Sequence, residues 1–236
     1  MSSNNICVER RGALATVTLD KPDRNMFTGV MFDELSDRLD ELNRDEELAV
    51  LVLRGAGDSF SHGRERGERM TNALAQRREL AKVIRANHAL MAFPGISIAQ
   101  IHGAALGAGC SLAARCDIVF ASDDARLGFP EIKGRGAPAI VIQFIGNLLP
   151  KKAAMDLIVT GREIGAEEAK SYGMVNYVVP AARLEAEVQR YVDDLLAKDH
   201  FALRTCKSFF NQLPDLHGQT GAEYAITLLA AIGTSR

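Results

Sequence analysis

Residues Ile98–Ser122 read IAQIHGAALGAGCSLAARCDIVFAS, and Leu127–Gly134 read LGFPEIKG. The first phrase runs from an apolar segment through a Gly/Ala-rich turn into a helix-like stretch, then into a second apolar segment. Strand, turn, helix, strand in that order is the signature of a layered α/β core. The second phrase sets one carboxylate, Glu131, beside Pro130 in a short loop. Backbone N–H groups at a helix start, with a carboxylate near them, can stabilise an enolate oxyanion while a base moves a proton.

Working outward, Ile6–Val8 and Leu14–Leu19 read as strands turned at Arg11-Gly12. Met31–Leu42 carries Phe32, Leu35, Leu39 and Leu42 at helical spacing. Ala49–Leu53 is a continuous apolar run, as in a strand covered on both faces. A charged stretch, His62–Arg69, precedes a helical pattern over Asn72–Met91, which Pro94-Gly95 stops before a strand at Ile96–Ile101. Helix Ala108–Arg115, strand Asp117–Ala121, helices Ala137–Leu148 and Lys151–Thr160, a short helix Ala166–Gly173 and a strand Val175–Val179 follow. From Leu184 the pattern is nearly all helical, and Leu184–Leu196 is amphipathic. The expected organisation is an α/β core over 1–182 and a helical region over 183–236.

Composition narrows the function. The 236 residues are 47% hydrophobic, enough for a sizeable core. A formal net charge of −2 gives no electrostatic basis for nucleic acid or an anionic membrane. No apolar run approaches a bilayer span, and MSSNNICVERRG lacks the apolar region of a secretory signal. Cys7, Cys110, Cys116 and Cys206 are scattered without a CxxC pair, which fits buried thiols in a reduced, cytoplasmic protein. The five dispersed histidines form no zinc-ligand pattern, and no metal is expected.

Five phrases in order carry a resemblance: LDKPDRNMF, VLVLRGAGDSFSHGRERGE, SIAQIHGAALGAGCSLAARCDIVFAS, ARLGFPEIKGRGAPA and TGREIGAEEAKSYGMVNYVV. Together they resemble the crotonase superfamily, the enoyl-CoA hydratase/isomerase family, from about Val8 to Phe210. The resemblance implies a spiral of repeated ββα units, a homotrimer or dimer of trimers, and acyl-CoA thioester substrates. Coenzyme A would arrive as part of the substrate, with no permanently bound cofactor. It also implies an enolate held by two backbone N–H groups, here those of Arg64 and Ala108. Arg24, Met26, His62, Gly63, Gly107 and Ala139 would surround the acyl-CoA.

Hydratases of the family carry two catalytic glutamates. The second matches Glu131; the first falls at Ser111, which is no carboxylate. Two acid/base groups can hold a water between them, whereas one glutamate shuttles a single proton. This sequence therefore resembles double-bond isomerases slightly more than ordinary hydratases. Hydroxycinnamoyl-CoA hydratase-lyases, which pair that glutamate with a serine, keep water addition open. Decarboxylation, thioester hydrolysis and a non-catalytic acyl-CoA-binding role are further alternatives.

Other departures from the family pattern are His62, Arg64 and Arg66 in place of small residues, and Glu65 in place of Asp. The Arg64 side chain offers a contact to a carboxylate or a CoA phosphate. The family's last helix reads as shortened or missing here. Asp117 reads as a helix-to-strand turn residue and His62 as a loop histidine. Gly109-Cys110-Ser111-Leu112-Ala113 also has the form of a loose nucleophile elbow, for which His200 or His217 would have to serve as base.

Overall fold

The computed structural model describes residues 5–65, 72–215 and 218–234, with the side chains of 231–234 left aside. Strands β1 (Ile6–Arg11) and β2 (Leu14–Leu19) form an antiparallel hairpin turned at Gly12, whose φ of 59° suits a residue without a Cβ. Helix α1 (Gly29–Leu42) follows, its N-cap Thr28 accepting from the Met31 N–H. Next come β3 (Val50–Gly55) and α2 (Ala73–Met91), the latter capped by Asn72.

The decisive phrase forms β4 (Ile96–Ile101), β5 (Ala104–Leu106), α3 (Ala108–Ala114) and β6 (Ile118–Ser122). Beyond it lie β7 (Arg126–Gly128), a 3-10 turn at Pro130–Gly134, α4 (Ala139–Ile145), α5 (Lys151–Thr160), β8 (Glu163–Gly165), α6 (Ala166–Ser171) and β9 (Tyr177–Val179). Helices α7 (Leu184–Leu196), α8 (His200–Gln212) and α9 (Gly218–Thr234) complete the chain, so a 17-residue helix occupies the C-terminal stretch. Among the described residues no helix is long and apolar enough to cross a membrane.

Six strands build the main sheet in the order β1-β2-β3-β4-β6-β9, parallel from β2 onward. Both faces are covered, as the unbroken apolar run in β3 implies. Leu51 and Leu53 enter the larger core beneath α1, α2 and α3, while Val50 and Val52 enter a second core shared with α7. The units β1-β2-α1, β4-β5-α3 and β6-β7-α4 repeat one ββα pattern.

A small sheet, β5-β7-β8, stands apart from the main one. It is missing from the sequence reading because three residues cannot display a period, and Gly128 and Gly165 dilute the apolar signal. Helix α4 is shorter than the expected Ala137–Leu148: Pro138 stands at its N-cap and Gly146 at its C-cap. Its apolar stripe, Val141, Phe144 and Ile145, is buried in the core. All four cysteines are free, but only Cys110 and Cys116 are buried; Cys206 is exposed on α8, which corrects the expectation of buried thiols throughout.

Candidate active site

The small sheet places the site residues. Ser61 bridges to Ala105 of β5: the Ser61 N–H donates to the Ala104 carbonyl (2.9 Å) and the Leu106 N–H to the Ser61 carbonyl (2.9 Å). Two residues on, the chain has crossed to another partner. The Phe27 N–H donates to the Gly63 carbonyl (2.8 Å) and the Glu65 N–H to the Phe27 carbonyl (2.9 Å). Gly63 makes the switch at φ 89°, and a Cβ there would stand 2.8 Å from the Leu106 carbonyl oxygen. No cis peptide occurs among the described residues, so the Arg64 N–H points opposite to the Gly63 carbonyl, away from Phe27.

A Cβ at Gly63 would lie 3.6 Å from the Ala108 nitrogen, so the backbone at Gly63 adjoins the start of α3. Ala108 is the first residue of α3, where no earlier carbonyl stands in helical register to accept its N–H. Gly107 precedes it at φ 53° and ψ −122°, a conformation disfavoured for residues with a Cβ. A Cβ on Gly107 would lie 2.8 Å from Glu131 Oε1 and 3.8 Å from the Gly63 Cα. Gly63, Gly107, Ala108 and Glu131 therefore meet within a few ångströms although 68 positions separate the first from the last.

Glu131 sits in the 3-10 turn, held by backbone bonds from Arg135 and Gly136 to its carbonyl. Its Oε2 is buried and has no hydrogen-bond partner among the described residues. Burial raises the Glu131 pKa above the ordinary carboxylate value, because the charged form is poorly solvated there. Ser111, one turn into α3, is 2% exposed, and its Oγ is likewise buried and unpartnered. Neighbouring Cys110 is pushed up to about 12, by burial first, and stays a neutral thiol.

The remaining residues named from sequence differ in burial and partners. His62 donates its N–H to the Arg24 carbonyl (3.0 Å), and its pKa is lowered by burial, then by Arg24 and Arg126, so its ring is neutral near pH 7. Arg24 is exposed with φ 51°, and its Nε lies 3.8 Å from Asp23. Met26 is half-buried, and Ala139 is exposed at the start of α4. The Arg64 side chain is exposed and makes no ion pair among the described residues, whereas Glu65 pairs with Lys21. Arg66 and His217 lie outside the described residues.

His200 contacts the Leu196 carbonyl at 3.1 Å, so the described residues give Ser111 no histidine base for a hydrolase. Sequence reasoning missed Asn25 and Ser61, both almost fully buried and hydrogen-bonded to each other beneath the Gly63 peptide. The phrase LDKPDRNMF contained the signal: a polar residue wedged between a Pro turn and a helix start.

Residues 9–235 match the family model described as enoyl-CoA hydratase/isomerase. Among curated relatives, the short-chain-enoyl-CoA hydratase of Clostridium acetobutylicum is 31% identical over 90% of this chain and 83% of its own length. The hydroxycinnamoyl-CoA hydratase-lyase of Pseudomonas fluorescens is 28% identical over 97% of this chain and 85% of its own. The crystal structure of a Mycobacterium smegmatis enoyl-CoA hydratase superposes with a TM-score of 0.92 at 26% identity, covering 96% of this chain and 90% of that one. This chain belongs to the enoyl-CoA hydratase/isomerase family and has its crotonase fold.

Proposed function

We propose that this protein is an acyl-CoA-processing enzyme in which Glu131 is the only carboxylate acid/base. The Arg64 and Ala108 N–H groups would hold the thioester oxygen. Charge developing on that oxygen is stabilised by donors already aimed at it, which acidifies the neighbouring carbon. Glu131 then takes a proton from one carbon and returns it to another. The observation that carries the reading is the Glu131 carboxylate, whose Oε1 abuts Gly107 at the start of α3 and whose Oε2 is buried and unpartnered among the described residues.

Such an arrangement favours moving a double bond over adding water. A second reading, hydration, draws on the unpartnered Ser111 Oγ, which could hold a water in place of a second glutamate. Incubating a 3-enoyl-CoA and a 2-enoyl-CoA separately and weighing the products distinguishes the two. Isomerisation leaves the mass unchanged; hydration adds one water. The Glu131→Gln variant should lose about 10²–10⁴ in turnover, the cost of removing a positioned acid/base, while acyl-CoA binding persists. Full activity in that variant would defeat the assignment. The working form is proposed to be a homotrimer or a dimer of trimers, with coenzyme A entering only as part of the substrate.

A further inference from the structure

Ser61 is fully buried and every polar group it owns is engaged. Its N–H and carbonyl bind β5, and its Oγ donates to the Asn25 carbonyl (2.8 Å) while accepting the Gly63 N–H (3.1 Å). The acceptor lies two residues before the donor, a turn in which a serine hydroxyl stands in for a backbone group. Asn25 is equally saturated. Its Oδ1 accepts the Lys21 N–H (2.8 Å), and its Nδ2 donates to the carbonyls of Ala56 (2.8 Å) and Ser59 (2.9 Å). Asn25 is held at φ 53°, in the left-handed region that asparagine tolerates better than most residues with a Cβ.

The consequence reaches the proposed donors. With the Gly63 N–H tied back to Ser61 Oγ and the Gly63 carbonyl bound by Phe27, the peptide between Gly63 and Arg64 has one orientation. Ser61 also touches α3, since a Cβ on Gly109 would stand 2.7 Å from the Ser61 Cβ. One residue thus meets the strand that carries the first donor and the helix that carries the second.

We propose that Ser61, anchored by Asn25, is the positioning residue that sets the Arg64 N–H against the Ala108 N–H. This rests on the function proposed above. Ser61 touches no substrate; it acts through the Gly63–Arg64 peptide. Removing its hydroxyl strands the Gly63 N–H and the Asn25 carbonyl in a buried place, and the peptide turns to find a partner.

The test uses butyryl-CoA, a saturated acyl-CoA that binds without reacting, and reads the infrared stretch of its thioester carbonyl on the full-length protein. Donors aimed at the oxygen lower that frequency relative to free butyryl-CoA. In Ser61→Ala the lowering should shrink, and kcat should fall about 10–100-fold, a part of the loss that follows removal of an oxyanion donor. KM should stay within about threefold, since ground-state binding is little changed. Ser61→Cys, which keeps a weak donor and acceptor, should fall between the two and serves as the readout if Ser61→Ala does not fold. A wild-type frequency in both folded variants would overturn the inference and leave the proposed function standing. An unshifted carbonyl in the wild-type protein would overturn the proposed function and this inference together.

Discussion

Glu131 combines two consequences of one environment. Its surroundings strip solvent from the carboxylate, so the protonated form gains in the folded state and the pKa rises. For a base that must be ionised, the acid limb of kcat/KM should therefore lie above the usual carboxylate range, and Glu131→Gln should abolish that limb together with the activity. The same shift acts on stability with the opposite sense to a salt-bridged acid. The folded state binds the proton more tightly than the unfolded state, so stability falls as pH rises from the unfolded value, about 4.3, through the folded one. Above that window the penalty is constant. Glu131→Gln should consequently melt higher than wild type at neutral pH, and the difference should vanish below pH ~4, where Glu131 is protonated in both states. A melting difference independent of pH would contradict the assigned burial effect.

At the scale of elements, the turn into α3 is fixed by a backbone rather than a side chain. Gly107→Ala would force a Cβ to within 2.8 Å of Glu131 Oε1 and place a non-glycine residue in a costly conformation, worth about 1–3 kcal/mol. Displacing the carboxylate by about 1 Å should lower kcat roughly 10²-fold. Stopped-turnover assays alongside thermal melting would separate the two losses. A second element, α8, is pinned to the sheet by one buried lysine. Lys207 Nζ donates to Asp117 Oδ2 (2.7 Å) and to the Gly95 carbonyl (2.9 Å), and the same Oδ2 accepts from the Ser97 N–H and Oγ. Asp117 stands between α3 and β6, and its carboxylate ties β4 to a helix 90 residues away. Lys207→Met should cost about 1–3 kcal/mol, because the Gly95 carbonyl and the partly exposed Asp117 carboxylate lose their shared charged donor. Chemical denaturation would record the loss as a lower midpoint.

For the whole molecule, the question is what covers the last two helices. Phe201 and Phe210 on α8 and Ile226 and Leu229 on α9 are 55%, 74%, 67% and 69% exposed. Large apolar side chains exposed on two successive helices fit an association surface better than a monomer's surface. Sedimentation should give three or six times the 25.6 kDa chain mass. Phe210→Glu should shift the distribution toward single chains, and an unchanged assembly would place the contact elsewhere.

The sequence by itself determined the layered α/β architecture, because a strand covered on both faces, as β3 is over Val50–Leu53, must be apolar there, and α7 must show its stripe over Leu184–Leu196. It also singled out Glu131, Ala108 and Gly107, whose meaning lies in a local phrase. It was silent on β5, β7 and β8, which have no periodicity and exist only because their backbones pair across distant segments. Only the tertiary structure decided that the Arg64 N–H turns away from Phe27, since that follows from the hydrogen bond between the Phe27 N–H and the Gly63 carbonyl. It alone revealed Asn25 and Ser61 as one buried hub, because a polar residue's burial and partners are set by chain segments that no short stretch of sequence contains.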